Sequence, residues 1–265
     1  MAELFFPQLA SGALAQYPIK KTRLFRSIKN VLADGTMILL SDRGAERVLW
    51  QLVYQDLLPT DVEALQNHYQ ACCGPFHAFT FIDPTGNMFS SSSDLTSTAW
   101  TRPQSIGVQG GEVDPLGGTS AFVMTNNAAT DDSFIQRLQV PANYTYSLSL
   151  YLRSAGPSTV RLFRSGGSAQ SITSVSVGRQ WTRAVSSGSL SDPGTNFSAG
   201  VILSPGQQIS IFGLQLEPQP SPSPYRSTAQ TGAVYSGAHW TASELSIVAT
   251  GPSLFSTTFG IDTAI

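Results

Sequence analysis

Four side chains in the middle of the sequence could bind a sugar. In the run Tyr144–Arg153, apolar residues alternate with polar and aromatic ones that include Tyr151 and Arg153, and Arg161 and Phe163 alternate in the same way in the next run. Strand alternation turns these four away from the expected core. An aromatic ring can stack on a sugar ring while a guanidinium group hydrogen-bonds its hydroxyls. The same pattern also fits a contact with another subunit or an ordinary strand surface.

Catalytic and metal-binding patterns are absent from the sequence. The three histidines are far apart, and no nucleophile elbow, P-loop or dinucleotide-binding motif occurs. A glycosidase generally needs two carboxylates about 5–10 Å apart, and the middle of the chain has few candidates. We therefore expect no enzyme, no zinc and no cofactor. The adjacent pair Asp131-Asp132 is typical of a solvated turn, although together with Asp94 or Glu217 it could hold a structural calcium ion.

Positive charge is concentrated in one short N-terminal stretch. This stretch contains Lys20, Lys21, Arg23, Arg26 and Lys29. Acidic residues follow it, namely Asp34, Asp42, Glu46, Asp56, Asp61 and Glu63. Opposite charges on separate edges of one subunit favour a head-to-tail interface that closes into a ring. The alternative is a strand edge that its lysines protect against aggregation.

Composition excludes several kinds of partner. The chain has 265 residues, of which 41% are hydrophobic and only 12% are charged, and its formal net charge is −2. The hydrophobic share is enough for real cores, and the absence of a basic block after Lys29 argues against nucleic-acid binding. No run reaches the ~18 apolar residues that cross a bilayer, so we expect no membrane insertion. Cysteine occurs only as Cys72-Cys73, which indicates synthesis in a reducing cytoplasm.

Two seams divide the chain into distinct blocks. Residues 89–94 are rich in serine, and residues 218–224 alternate proline with serine or glutamine. Eight short apolar or alternating runs lie between the seams, at the spacing typical of a β-sandwich. After the second seam, strand patterns resume near residue 233 and cover residues 245–250 and 253–261. These last strands are too short to form a domain and need a sheet to join. The blocks are therefore one domain inserted into another or two domains in series.

The block before the first seam combines strands with one helix. Asp34-Gly35 predicts a hairpin turn, and residues 48–54 predict a buried strand. Residues 60–73 predict a helix with Thr60 as its N-cap and Glu63 at the capping-box position. We expect the C-terminal strands to pair with the strands of this block.

Several of these N-terminal segments resemble the distal tail and minor tail proteins of long-tailed bacteriophages. The resemblance covers about residues 5–88 and, more faintly, residues 233–261. It is carried by Phe6-Pro7-Gln8-Leu9, the strand with Arg23 and Arg26, residues 50–54, the helix at 60–73 and the F-x-F-x-D-P-x-G-N turn of residues 79–87. In that family a β-sandwich with one helix forms a ring beneath the tail tube.

The middle block resembles the carbohydrate-binding-module-like jelly rolls of phage structural proteins. Residues 94–101 look like their opening strand, and residues 212–217 with 224–228 look like their closing G-x-Q-L-E and Y-x-x-T elements. Distal tail proteins are known to carry an inserted sugar-binding-like domain. The resemblance therefore favours insertion of the middle block into the first domain over two domains in series. The expected fold is thus mainly β. A β-sandwich with one helix (1–88 and 232–265) is completed by the C-terminal strands and carries an inserted jelly roll (89–231).

The two resemblances together imply a structural function. The chain would be a subunit of a homo-oligomeric ring in the tail tip or baseplate of a virion, synthesised in the host bacterial cytoplasm. It would contact other tail proteins such as the tube and hub, and its jelly roll could contact a host-surface polysaccharide. The alternative is a receptor-binding module whose main task is to bind a surface glycan. A ring in electron micrographs would favour the first function, and glycan binding by residues 89–231 alone would favour the second.

Overall fold

The computed structural model describes residues 3–264, except for the side chains at positions 43 and 44. The described range contains one α-helix and fifteen β-strands, which confirms the predicted mainly β class. The helix is α1 (Pro59–Ala71), and the strands are β1 (Lys20–Val31), β2 (Met37–Leu57), β3 (Phe79–Ile82), β4 (Ile106–Glu112), β5 (Ala121–Asn126), β6 (Asp132–Gln139), β7 (Tyr146–Arg153), β8 (Ser158–Ser165), β9 (Gln170–Val177), β10 (Thr182–Gly188), β11 (Asn196–Leu203), β12 (Gln208–Glu217), β13 (Val234–Trp240), β14 (Ile247–Gly251) and β15 (Leu254–Ala264). Within this range no helix is long and apolar enough to cross a membrane.

The chain forms two compact units. The first unit runs to Ile82 and resumes at Val234, and the second unit spans Asp83–Ala233. Residues 1, 2 and 265 of the domain ranges predicted above lie outside the described residues.

The first unit is built on a six-stranded sheet with the order β1-β2-β15-β13-β3, to which β14 adds beside β15. The C-terminal strands lie in the middle of this sheet, because β15 pairs with β2 and β13 pairs with β3. The outer edge of β3 is covered by the N-terminal segment. Thr80 N donates to the carbonyl of Leu4, and Phe6 N donates to the carbonyl of Thr80 at 3.0 Å.

Aromatic side chains fill the core of the first unit. Phe6 and Trp240 are fully buried with ring centroids 5.8 Å apart. Helix α1 begins at Pro59, one residue before the predicted start. The carboxylate of Asp61 accepts a hydrogen bond from Leu58 N at 3.2 Å. The predicted N-cap at Thr60 is therefore wrong, because Thr60 already lies inside the first turn.

Beyond the sheet, β1 and β2 continue as a two-stranded ribbon. β2 pairs with β15 only from Arg47 onward, so its earlier residues pair with β1 alone. We call residues 24–42 the ribbon. The predicted turn at Asp34-Gly35 is confirmed, since it lies between Val31 and Met37, the last paired residues of the two strands. Gly35 adopts φ +85°, a left-handed conformation that glycine tolerates best.

The second unit is a sandwich of two antiparallel sheets. One sheet has the order β10-β7-β12-β5-β4 and the other β6-β11-β8-β9. Fully buried leucines of β7 and β8, such as Leu150 and Leu162, contribute to its core. The predicted opening strand at 94–101 is wrong, because this segment forms turns and only Thr101 makes an isolated bridge. The edge strand is β4 instead, whose three glycines weaken the strand signal in the sequence.

Residues 218–228, here the closing segment, are held by two buried side chains at the end of β12. Gln215 and Glu217 are each 1% exposed. The Glu217 carboxylate accepts hydrogen bonds from Gln215 Nε2 at 2.7 Å and from Ser223 N at 2.9 Å. Gln215 Oε1 accepts one from Arg226 N at 2.7 Å. The G-x-Q-L-E element thus anchors the segment that follows it.

Candidate functional site

The outer face of the four-stranded sheet carries an apolar row across its strands. Ile135 lies opposite Gly200, Gly200 opposite Phe163, and Phe163 opposite Ile172. On β8 the two neighbours of Phe163 are buried: Leu162 is 0% exposed and Arg164 is 3% exposed. Alternation therefore directs the ring of Phe163 away from the core.

Gly200 interrupts this row, because the backbone of the neighbouring strand approaches it closely. A Cβ atom at this position would lie 2.0 Å from the carbonyl oxygen of Phe134 on the neighbouring strand, which no side chain tolerates. The row therefore has bare backbone between Ile135 and Phe163.

A cleft of about 570 Å³ lies on this face of the sheet. Its lining combines Phe163, Leu138 and Ile135 with polar groups of several kinds. Arg137, Gln139, Asn196, Ser165 and Ser198 supply the polar groups. The volume is within the range of roughly 300–1,000 Å³ that small-molecule sites occupy. Guanidinium, amide and hydroxyl groups beside an aromatic ring can hydrogen-bond a polyhydroxylated ligand while its apolar face packs on the ring.

Of the four residues predicted to bind sugar, only Phe163 lines this cleft. Arg161 lies on the same sheet face but is paired with Asp131, whose carboxylate oxygens lie 2.7 and 2.8 Å from two guanidinium nitrogens. The hydrogen bond from Arg161 lowers the pKa of Asp131 and keeps its charge. The guanidinium group of Arg161 thus binds the loop residue Asp131 instead of facing the cleft.

Tyr151 and Arg153 lie on the other sheet of the sandwich, so the four predicted residues do not form one site. The turn between β7 and β8 crosses from one sheet to the other, which places the two pairs on different sheets. The ring of Tyr151 lies 6.0 Å from that of Phe212. The guanidinium of Arg153 pairs with Glu112 and lies 4.8 Å from the ring of Trp181. These contacts occupy both side chains within the unit.

Each of the carboxylates considered for calcium has another partner. Asp131 pairs with Arg161, Asp132 accepts a hydrogen bond from Ser105, Asp94 accepts two from Thr96, and Glu217 is enclosed beneath the closing segment. Across the described residues, no group of three or more histidine, cysteine, aspartate or glutamate side chains could hold a metal ion. The residues named for calcium therefore do not fit a shared ion.

The basic residues of the predicted interface all lie on β1, which is an edge strand. The expectation that acidic residues would occupy a separate edge is wrong for two of them. Arg23 lies 3.7 Å from Glu46, and Arg26 lies 3.4 Å from Asp42 across the same hairpin. Antiparallel pairing folds the later acidic residues back onto the basic strand, which sequence order alone does not reveal.

One buried histidine is part of the core of the first unit. The ring of His68 lies 4.7 Å from that of Phe79, and its nitrogens are 3.8 and 3.9 Å from the sulfur of Cys72. Burial lowers the pKa of His68 from 6.5 to about 4 and raises the pKa of the Cys72 thiol. A neutral imidazole and a protonated thiol fit a packing role.

Sequence reasoning missed the polar side of the cleft. Arg137 and Gln139 follow Phe134 on β6, and Asn196 and Ser198 begin β11. Their alternation with buried residues was a usable signal on each strand. What the sequence could not provide is the long-range pairing that sets Arg137 opposite Ser198.

Comparisons with known proteins give matches to solved structures. No family model matches the chain, and no curated protein matches it. The enzymatically active domain of tailspike protein 4 of bacteriophage CBA120 is 14% identical with a TM-score of 0.41, and the match covers 52% of this chain and 22% of that one. The C-terminal family 22 carbohydrate-binding module of Clostridium thermocellum Xyn10B is 17% identical with a TM-score of 0.41, covering 51% of this chain and 95% of that one. A further xylan-binding domain of family 22 is 16% identical with a TM-score of 0.42, covering 52% of this chain and 99% of that one.

Proposed function

We propose that the second unit is a glycan-binding module and that the cleft around Phe163 is its binding site. The observation that carries this proposal is the combination of an outward aromatic ring and polar groups in one cleft. A sugar ring presents one apolar face and a set of hydroxyls, so it needs both kinds of surface at once. On this proposal the ligand is a bacterial surface polysaccharide, the class that the resemblance of the middle block to phage jelly rolls implies.

The polar lining supports binding of a neutral or weakly acidic glycan. Arg137 can donate several hydrogen bonds in a fixed geometry, while Gln139 and Asn196 each offer both a donor and an acceptor. Donors and acceptors side by side match sugar hydroxyls, which need both. Sulfated or strongly acidic chains need more cationic groups, and Arg137 is the one such group in the lining.

The proposal is binding without cleavage. Most glycosidases use a pair of carboxylates that flank the scissile bond. The residues that line the cleft include neither aspartate nor glutamate. Asp131, the acid paired with Arg161 on the same side of the sandwich, is held as a charged partner of that arginine.

Replacement of Phe163 tests the site. Loss of a stacked ring removes on the order of 1 kcal/mol of contact, so F163A should bind about tenfold more weakly than the natural chain. The measurement is titration of the whole chain with the bacterial surface polysaccharide that scores highest on a glycan array. The matched control is F76A, since Phe76 is 76% exposed in the first unit. Equal affinity of F163A and the natural chain would refute the site, as would an equal loss in F76A.

A second candidate function is that of a structural subunit in a phage tail-tip or baseplate ring. It is supported by the resemblance of residues 5–88 to distal tail proteins. It is also supported by the exposed apolar side chains of the ribbon, because clusters of this kind mark surfaces that contact another molecule. On this proposal the chain lies in the virion, and Lys20, Lys21, Arg23, Arg26 and Lys29 border the subunit contact. Sedimentation of the purified chain tests it, because a ring subunit should form closed oligomers, and a strict monomer at micromolar concentration would count against it.

A further inference from the structure

The ribbon has an unusual concentration of exposed apolar side chains. Among residues 3–264, 17 large apolar side chains are exposed, and nine of them lie within residues 24–40. They are Leu24, Phe25, Ile28, Val31, Leu32, Met37, Ile38, Leu39 and Leu40. Cross-strand pairing places Val31 beside Met37 and Ile28 beside Leu40, on opposite faces of the ribbon. Both faces are therefore apolar.

Such a ribbon is poorly stable in water by itself. An isolated pair of strands is marginal, and its open edges invite further pairing. Of the nine side chains, Val31, Leu32 and Met37 lie at the tip of the ribbon, and Leu24 and Phe25 lie at its base. At the other end of the same sheet, residues 4–6 cover the edge of β3. One edge of the fold is thus protected and the ribbon is not.

The same unit also has a pocket at the base of the ribbon. The pocket measures about 610 Å³. Its apolar lining comes from Leu24, Phe25, Ala45 and Ala264, and its polar lining from Arg26, Arg47 and His239. Arg26 is paired with Asp42 and Arg47 with Asp262, so the pocket is close to neutral and its attraction for a partner is mainly apolar.

We infer that the tip of the ribbon, residues 31–37, docks into the base pocket of a second copy of this chain. A tip cannot enter its own pocket, because residues 26–31 hold it roughly 15–20 Å away at about 3.3 Å per residue. If a projection on one copy enters a pocket at a different place on the next copy, the contact is head-to-tail and continues around a ring when the rotation closes. This inference rests on the structural-subunit candidate and is independent of the glycan cleft.

Single-cysteine variants test the geometry. In a C73S background, in which the remaining Cys72 is buried, M37C marks the tip and A264C marks the pocket. Under mild oxidation a mixture of the two variants should give a disulfide-linked dimer, and neither variant should do so alone. A dimer from M37C alone would show ribbon packed against ribbon and would overturn the inference. The absence of any cross-link in the mixture would overturn it as well.

A matched pair of substitutions tests the energetics on the whole chain. Val31 in the ribbon is 62% exposed and Val248 in β14 is 57% exposed. V31D should weaken self-association about tenfold or more in sedimentation experiments, because it places a charge in an apolar contact. V248D should not, and both monomers should keep the natural circular dichroism spectrum. If the chain assembles but V31D assembles equally well, the docking mode fails while the structural function stands. If the natural chain is a monomer, both fail, and titration with glycan still tests the cleft separately.

Discussion

Acid should destabilise the first unit through His68 before it affects the second. The histidine is 8% exposed, and burial lowers its pKa from 6.5 to about 4. Above pH 6.5 the imidazole is neutral in both the folded and the unfolded chain. Below pH 6.5 the imidazole of His68 binds a proton in the unfolded chain but stays neutral in the folded chain. The free energy of unfolding therefore falls as the pH falls. At ~1.36 kcal/mol per pH unit, the loss reaches about 2 kcal/mol at pH 5 and about 3 kcal/mol near pH 4.

Hydrogen exchange measures this effect one unit at a time. Amides of β2 and β15, in the middle of the first sheet, should lose protection between pH 7 and pH 5 after correction for the intrinsic exchange rate, and amides of β7 and β12 should lose less. H68L removes the titrating group and should remove most of the pH dependence. H77L, at a half-buried histidine nearby in the sequence, is the control and should behave like the natural chain. If H68L kept the natural pH dependence, the assignment of the effect to His68 would be wrong.

Two further predictions concern the second unit and its insertion point. In urea titrations, E217A should lower the free energy of unfolding of the second unit by about 2–4 kcal/mol, since it leaves buried donors of Gln215 and Ser223 without their acceptor. The control is E112Q at the half-exposed ion pair with Arg153, which should lower it by about 1 kcal/mol or less. Equal effects of the two would contradict the buried network. Replacement of residues 83–233 by Asn-Gly should leave a cooperatively folding first unit, because Ile82 and Val234 face each other in adjacent strands and a two-residue turn can join them. A product without a thermal transition would contradict that expectation.

Local signals in the sequence were sufficient for much of the fold. The hairpin was predictable from Asp34-Gly35, because Gly35 adopts a left-handed conformation and Asp-Gly is one of the residue pairs that favour such turns. The alternation around Leu148, Leu150 and Leu152 identified the side of β7 that faces the sandwich core. By contrast, β4 was missed because Gly107, Gly110 and Gly111 carry no side chain from which to read alternation.

The candidate site was only partly predictable, because it depends on contacts between distant strands. Alternation correctly directed Phe163 outward from the core. It could not show that Tyr151 belongs to the opposite sheet or that Arg161 would be occupied by Asp131. The close approach at Gly200 is likewise a property of two adjacent strands, since it exists only where β11 lies beside β6.

The first and last residues of the second unit lie side by side. Asp83 N donates to the carbonyl of Ala233, and Ala233 N donates to that of Asn87, both at 2.9 Å. On the other side of each junction, Ile82 and Val234 are cross-strand neighbours. A recombination event that exchanges the codons for residues 83–233 would therefore replace the whole module and leave every strand of the remaining sheet intact. Such an exchange would substitute one β-sandwich for another in a single genetic step.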